Sequence, residues 1–337
     1  MIFFLQRDNN PLRKEAFTAS FLGKLHPARL SHLHQGSNYL ARLLNESLAC
    51  QPVAGEVLLI GLTESGIVPS FLMYMEACRL AVPCRWICST RRSCASGIVF
   101  QETHSHSPNH TLPIPQCRFA EFAEIWIVED EITTGSTVKN LLRQIKGHVP
   151  AEIFRIFSLV DFRSEKQQKE FFHPPNENKK AHLFHTAVSF SEIEGDAPEH
   201  GNNFEPQNTQ AVCYPDAVLQ KSAAECGLRS HRSHRIPVNG CADGTLLVIG
   251  ETVRTAAHLV AAGMFRSFQH ITLSPWLVDD VSIKSRISLH KDHYLYNKQE
   301  SQGPVYLLHD PTDHATGNAI KKQLEEQGIP VQQLNVL

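Results

Sequence analysis

The stretch Ile125-Trp126-Ile127-Val128-Glu129-Asp130-Glu131-Ile132-Thr133-Thr134-Gly135-Ser136-Thr137 constrains this chain more than any other. Its short apolar start reads as a buried strand, and the amphipathic segment from Val138 to Ile145 reads as a helix. Between them stand two adjacent acids and a turn rich in hydroxyls and glycine. That order puts a helix N-terminus at the carboxyl end of a strand. The first amides of a helix point outward with partial positive charge and attract phosphate. Gly135 admits close backbone approach, and Thr133, Thr134, Ser136 and Thr137 add hydroxyl donors. Glu129 and Asp130 precede that cradle, where carboxylates accept hydrogen bonds from ribose hydroxyls or face a magnesium ion. A sugar phosphate is the expected ligand.

The same alternation runs along the chain. Ser37 to Leu48 has helical spacing. Val57 to Leu62 is a strand run that turns through Gly61-Leu62-Thr63-Glu64-Ser65-Gly66 into a helix carrying Phe71, Leu72 and Tyr74. Trp86 to Ser89 closes on Thr90-Arg91-Arg92, and Ile153 to Val160 leads to Asp161-Phe162-Arg163. Strands alternating with helices predict an α/β fold with a parallel sheet flanked by helices and ligand loops at the strand carboxyl ends. Phe100 to Pro115 reads as a long polar loop carrying His104, His106 and His110, and such loops inside compact domains serve function or are disordered. Residues 191–212 are polar and read as a linker. Beyond them, strands at Leu246–Ile249, Ser267–Leu273 and Val305–Leu308, with helices at Thr255–Ala262 and Ile320–Gln327, predict a second α/β domain. The expected division is therefore 1–195, a linker over 196–212, and 213–337.

Composition narrows the function classes. A net charge of −2 on 337 residues makes no electrostatic case for nucleic acid or an anionic membrane. No apolar run reaches membrane-spanning length, and Met1 to Leu5 is too short for a signal peptide. The nine cysteines form no C-x-x-C pair, which reads as reduced thiols in a cytoplasmic protein.

The run of hydrophobics, two acids, small residues and Thr-Gly-Ser-Thr resembles the diphosphate-sugar signature of type I phosphoribosyltransferases. The resemblance implies that the chain binds 5-phosphoribosyl 1-diphosphate with Mg²⁺ and transfers the phosphoribosyl group to a nitrogenous base-like acceptor, releasing pyrophosphate. Thr133, Thr134, Gly135, Ser136 and Thr137 would hold the 5-phosphate, and Glu129 and Asp130 the ribose hydroxyls and the metal. Thr63, Glu64, Ser65 and Gly66 look like the pyrophosphate loop of that family, which often contains a non-proline cis peptide, expected here near Thr63-Glu64. Arg91 and Arg92 fall where the family sets cations against pyrophosphate, and guanidinium suits bidentate phosphate contacts. His104 and His106 would act on the closing catalytic loop by neutralising the leaving anion or supplying a proton. The H-x-H-x-x-x-H spacing through His110 also suits a transition metal, although no cysteine or carboxylate set completes such a site. Thr133 stands where oxopurine-salvage enzymes have aspartate and orotate-type enzymes have threonine, which points to an orotate-like branch. Arg163 falls where that branch places a base-contacting arginine.

A narrower resemblance covers most of the chain. It is to two-domain bacterial proteins in which an orotate-like phosphoribosyltransferase domain precedes a TRSP domain, found in tellurium-resistance and stress gene clusters. Its carriers include Phe21 to Pro27, Ser89 to Arg92, Gly250-Glu251-Thr252, Thr272-Leu273-Ser274-Pro275, Tyr294 to Asn297 and Val305 to Asp310. Leu273 replaces the namesake arginine. This resemblance implies a stress-linked nucleoside-like biosynthesis and is compatible with a homodimer. The alternative is a non-catalytic regulator that senses the diphosphate sugar or a nucleotide on the same fold.

Overall fold

The computed structural model describes residues 2–8, 15–92, 94, 97–101, 109–146, 148, 153–172, 181–189, 243–298 and 303–335. The chain opens with strands β1 (Ile2–Gln6), β2 (Glu15–Ala19) and β3 (Ala28–Arg29), then helix α1 (Leu30–Cys50). Next come β4 (Val57–Gly61), α2 (Ile67–Arg79), β5 (Cys84–Cys88), β6 (Ile98–Gln101), β7 (Asn109–Leu112) and β8 (Glu124–Ile132). These are followed by α3 (Ser136–Ile145), β9 (Ile153–Asp161), α4 (Glu165–Phe172) and β10 (Ala181–Ser189). The remainder holds β11 (Thr245–Ile249), α5 (Val253–Ala261), β12 (Ser267–Ile271), β13 (Arg286–Leu289), β14 (His293–Tyr296), β15 (Val305–His309), α6 (His314–Glu326) and β16 (Val331–Asn335). Two compact units result, Ser37–Ala197 and Met1–Gly36 with Pro198–Leu337. No helix among the described residues is long and apolar enough to cross a membrane.

In the unit of residues 37–197, five parallel strands lie in the order β10-β9-β8-β4-β5. All five residues of β4 are buried, the pattern of a strand covered on both faces. Leu59, Trp86 and Trp126 share one row. On that face α2 lies against β4, β5 and β8, with Tyr74 stacked on Trp86 at 5.5 Å and Trp86 donating Nε1–H to Ser70 Oγ at 3.1 Å. Ile125 and Ile127 point to the other face and cluster with Val138, Leu141, Leu142 and Ile145 of α3.

A buried ion pair ties α1 to this sheet. Arg155 is 0% exposed and donates Nε–H to Glu124 at 2.8 Å, Nη1–H to Ser47 O at 2.8 Å and Nη2–H to Gln51 O at 2.7 Å. It thereby binds carbonyls at and just beyond the end of α1, where Ser47 O also accepts Gln51 N–H at 3.1 Å. His185 also feels this charge. Burial first, and then Arg155, push its imidazole below the usual histidine range.

The expected irregular segment from Phe100 to Pro115 contains an antiparallel hairpin instead. Ile98 pairs with Leu112 and Phe100 with His110. Ile98 and Phe100 are buried while Val99 and Gln101 are exposed, an alternation of only four residues that is too short to stand out beside the polar run.

In the other unit, β16-β15-β11-β12 run parallel and β3 closes the edge antiparallel to β12. Residues 1–36, expected with the first domain, group here because Ala28 and Arg29 pair with Phe268 and Ser267. Gly23 O also accepts His270 N–H at 2.8 Å, and the left-handed Gly23 has no room for a Cβ, which would sit 2.7 Å from the Phe268 ring. Leu5, Ala16, Leu25, Trp276, Ile283 and Tyr296 form a separate small core. Thr272 to Pro275 brace it. Thr272 exchanges backbone hydrogen bonds with Tyr294 at 3.0 and 2.7 Å, Ser274 O accepts Tyr296 Oη–H at 2.8 Å, and Pro275 O accepts Asp8 N–H at 2.9 Å. The expected linker over 196–212 lies outside the described residues.

Candidate active site

Strand order concentrates the candidate loops. The chain leaves β4 through α2 toward β5 on one side, and leaves β8 through α3 toward β9 on the other. Connections that diverge from two adjacent parallel strands leave a crevice between their carboxyl ends, the usual ligand position in open α/β sheets. Gly61 pairs with Val128 across that junction, and Leu62 N–H donates to Val128 O at 3.2 Å. The loop Leu62–Gly66 therefore emerges beside the segment Glu129 to Thr137.

On the β4 side, the Thr63-Glu64 peptide bond is cis. The loop closes on itself with Gly66 N–H donating to Leu62 O at 2.9 Å. A Cβ at Gly66 would lie 2.6 Å from Leu62 O and 2.8 Å from Val128 O, so glycine is required by close backbone approach. Thr63 is buried, and Glu64 and Ser65 are half-buried. The neighbouring strand holds this loop from beneath. Ser89 N–H donates to Gly61 O at 2.9 Å, Ser89 Oγ accepts Thr63 N–H at 2.9 Å, and Thr63 Oγ1 donates to Ser89 O. Arg91 and Arg92 follow, both half-buried, and Arg91 pairs with the Glu64 carboxylate at 3.6 Å.

On the β8 side, the strand runs on through Ile132 rather than ending before the acids, because β9 continues to pair with it as far as Ile132↔Asp161. Glu129 and Asp130 are consecutive strand residues, so their side chains leave opposite faces. Glu129 is half-buried with Oε1 accepting Asp130 N–H at 3.2 Å, while Asp130 is 6% exposed. Gly135 is the N-cap of α3 in the left-handed conformation, φ 72°, so the first helix amides are those of Ser136, Thr137 and Val138. Thr134 Oγ1 accepts Ser136 N–H at 3.3 Å and lies 2.8 Å from Ser136 Oγ. Thr133, Ser136 and Thr137 are half-buried and Thr134 is exposed.

The remaining expected residues divide. Arg163 follows β9 but is 0% exposed, with Nε and Nη2 on the Asp161 carboxylate at 2.9 and 2.7 Å and its guanidinium 4.1 Å from the Phe184 ring centroid. His104 and His106 lie outside the described residues. His110 is fully buried on β7, its ring beside Phe100 and Nδ1 3.4 Å from Ser89 Oγ. The transition-metal reading gains no support from it, because no three His, Cys, Asp or Glu side chains gather at a metal-binding distance among the described residues. Ser89, named above only as a strand end and a carrier of the narrower resemblance, holds the Thr63 loop, and Asn140 of α3 donates Nδ2–H to Gln101 O at 2.8 Å. The strand end at Ser89 was visible as a position, but Asn140 is an ordinary polar helix residue and carries no signal.

Residues 2–188 match the family described as Phosphoribosyl transferase. No curated protein matches significantly. Among solved structures, the chain is similar to adenine phosphoribosyltransferase from Trypanosoma brucei in complex with AMP, pyrophosphate and ribose-5-phosphate. That likeness has 12% identity and a TM-score of 0.43, covering 65% of this chain and 88% of that one. The enzyme from Leishmania donovani gives 12% identity over 63% and 84%, TM-score 0.42. The enzyme from Giardia lamblia with 9-deazaadenine gives 10% over 56% and 93%, TM-score 0.40.

Proposed function

This chain belongs to the phosphoribosyl transferase family, whose match spans more than half of its length, and from that membership we propose that it transfers the 5-phosphoribosyl group from 5-phosphoribosyl 1-diphosphate to a nitrogenous base-like acceptor, with release of pyrophosphate. The observation that carries this reading is the emergence of two anion loops, Thr63–Gly66 and Thr133–Thr137, side by side at the crevice between β4 and β8. A ligand with a phosphate at each end of a ribose matches two such loops flanking a pair of acids.

In this reading Thr133, Thr134, Gly135, Ser136 and Thr137 hold the 5-phosphate through the α3 amides and hydroxyls. Thr63, Glu64, Ser65 and Gly66 hold the diphosphate, with Arg92 and Arg91 supplying cations beside it. Glu129 and Asp130 accept from the ribose hydroxyls and stabilise positive charge that develops on the ring as the glycosidic bond loosens. Their carboxylates would suit Mg²⁺, an ion commonly held by one or two carboxylates together with substrate phosphates and waters. When bound, such an ion neutralises charge on the departing diphosphate. We assign Arg163 the role of fixing the end of β9 through Asp161, rather than direct contact with the base, since its guanidinium is buried. His104 and His106 are assigned to proton supply at the leaving group, on the resemblance alone.

The proposal extends to a cytoplasmic, stress-linked enzyme whose C-terminal unit is of the TRSP kind. It is supported by the sequence carriers of that resemblance. The test is pyrophosphate release on mixing the protein with 5-phosphoribosyl 1-diphosphate, Mg²⁺ and a base panel, followed by mass spectrometry of the nucleotide product. Release that depends on one base class supports the enzyme. Tight binding of the diphosphate sugar with no release across the panel would establish the sensor instead.

A further inference from the structure

The two anion loops are linked by one element, the β6–β7 hairpin. On β6 Gln101 O accepts Asn140 Nδ2–H at 2.8 Å, and Asn140 sits one turn into α3, the helix that Gly135 caps. On the partner strand, one register step away, His110 Nδ1 faces Ser89 Oγ at 3.4 Å, and that same oxygen accepts the Thr63 amide at 2.9 Å. Thr90 and Thr111 also exchange backbone hydrogen bonds, each 2.8 Å, so the strand bearing His110 is bolted to the segment bearing Ser89. Phe100 and His110 are a cross-strand pair, and both are buried.

We infer that the β6–β7 hairpin is a brace that sets the spacing of the two anion loops, with His110 and Asn140 as its positioning residues. This rests on the phosphoribosyl-transfer reading of the same site. A brace of this kind contributes to a ligand that spans both loops and contributes nothing to a ligand that occupies one of them. The Ser89 to His110 leg, at 3.4 Å, is longer than an ordinary hydrogen bond.

The experiment measures, by calorimetry on the full chain with Mg²⁺, the affinities for 5-phosphoribosyl 1-diphosphate, ribose 5-phosphate and pyrophosphate. The variants are His110→Phe, which keeps the ring volume beside Phe100, and Asn140→Asp, which keeps an acceptor for Arg143 but loses the donor to Gln101 O. The expected result is a loss of about tenfold for the spanning ligand in each variant, one hydrogen bond's worth, with the two fragments within about twofold of the parent. His110→Asn, which restores a side-chain hydrogen-bonding group near Ser89, should recover most of the loss. Unchanged affinity for the spanning ligand overturns the brace, and so does an equal loss for the fragments, which would mark general damage. If the parent protein binds the fragments and the diphosphate sugar no better than buffer, the transfer reading itself falls, and the brace with it.

Discussion

The two units are built alike and furnished differently. Each holds a five-stranded sheet whose first central strand, β4 in one and β11 in the other, has connections diverging on either side of a crevice. In the unit of residues 37–197 that crevice lies between β4 and β8, and the glycine loop and the hydroxyl loop both open onto it. In the other unit it lies between β11 and β15, and several polar groups there bond to their own turn or to the strand ends. Thr252 Oγ1 donates to Ile249 O at 2.7 Å and reaches Leu308 O at 3.3 Å, across the ends of both strands. Asp310 caps its own turn by accepting Thr312 N–H at 2.9 Å and Thr312 Oγ1–H at 2.7 Å. His309, 2% exposed, is wedged between Gln333 and α6, where Gly317 leaves it space that a Cβ would fill at 2.3 Å. Topology makes a crevice in both sheets, and loop chemistry differs between them.

The largest contrast is expected at the acids. Glu129→Gln with Asp130→Asn should abolish turnover and weaken diphosphate-sugar binding by at least about a hundredfold, given that each hydrogen bond to a charged group contributes about 1.5–3 kcal/mol. Calorimetry checks this, and unchanged affinity in a folded double variant would show that the ribose lies elsewhere. The paired change in the other crevice, Asp310→Asn, should leave transfer unaltered.

Stability should divide the units next. Glu124→Gln strands the buried Arg155 charge and should cost about 3–5 kcal/mol. Hydrogen exchange locates the loss, with β8 and β9 exchanging faster while β11 and β15 keep their protection. Uniform loss in both sheets would mean that the ion pair is not specific to one unit.

A smaller effect separates two glycines that look equivalent in sequence. Gly66→Ala forces a Cβ against two carbonyls and should cost about 1–3 kcal/mol and most of the transfer activity. Gly250→Ala meets no atom within 4 Å but keeps φ at +59°, so it should cost about 1 kcal/mol through backbone conformation and leave transfer intact. Denaturant midpoints and pyrophosphate release measure the two consequences independently.

The smallest expected effect is a pH dependence that both units share. Burial lowers the imidazoles of His185 and His26, reinforced by Arg155 in the first case and Lys284 in the second. Each binds its proton less readily in the fold than in the unfolded chain, so stability is complete above the ordinary histidine value of 6.5 and declines as pH falls below it. His185→Gln and His26→Gln should each flatten the loss of thermal stability between neutral and mildly acidic pH. A parallel curve in either variant would remove that histidine from the account.

Much of this molecule was legible before any coordinates. The strands β4, β8, β9, β11 and β15 stand out because buried parallel strands need unbroken apolar runs, and such runs are local. The candidate loops were legible for the same reason. Thr63 to Gly66 and Glu129 to Thr137 are contiguous, and the cis Thr63-Glu64 bond falls inside the segment that the resemblance singled out. What stayed hidden depends on pairing between distant residues. The hairpin of Ile98–Gln101 with Asn109–Leu112 takes its partners across a polar gap, and β3 finds its partner in β12 more than two hundred positions away. The burial of Arg163 against Asp161 and Phe184, and the link from Thr63 through Ser89 to His110, likewise need the sheet in place first. Local pattern dictates which segments become strands and loops, since that is a matter of side-chain periodicity and backbone freedom. Only the assembled sheet puts β4 beside β8 and turns two separate loops into one crevice, because strand order is selected by hydrogen bonding and burial summed over the whole fold.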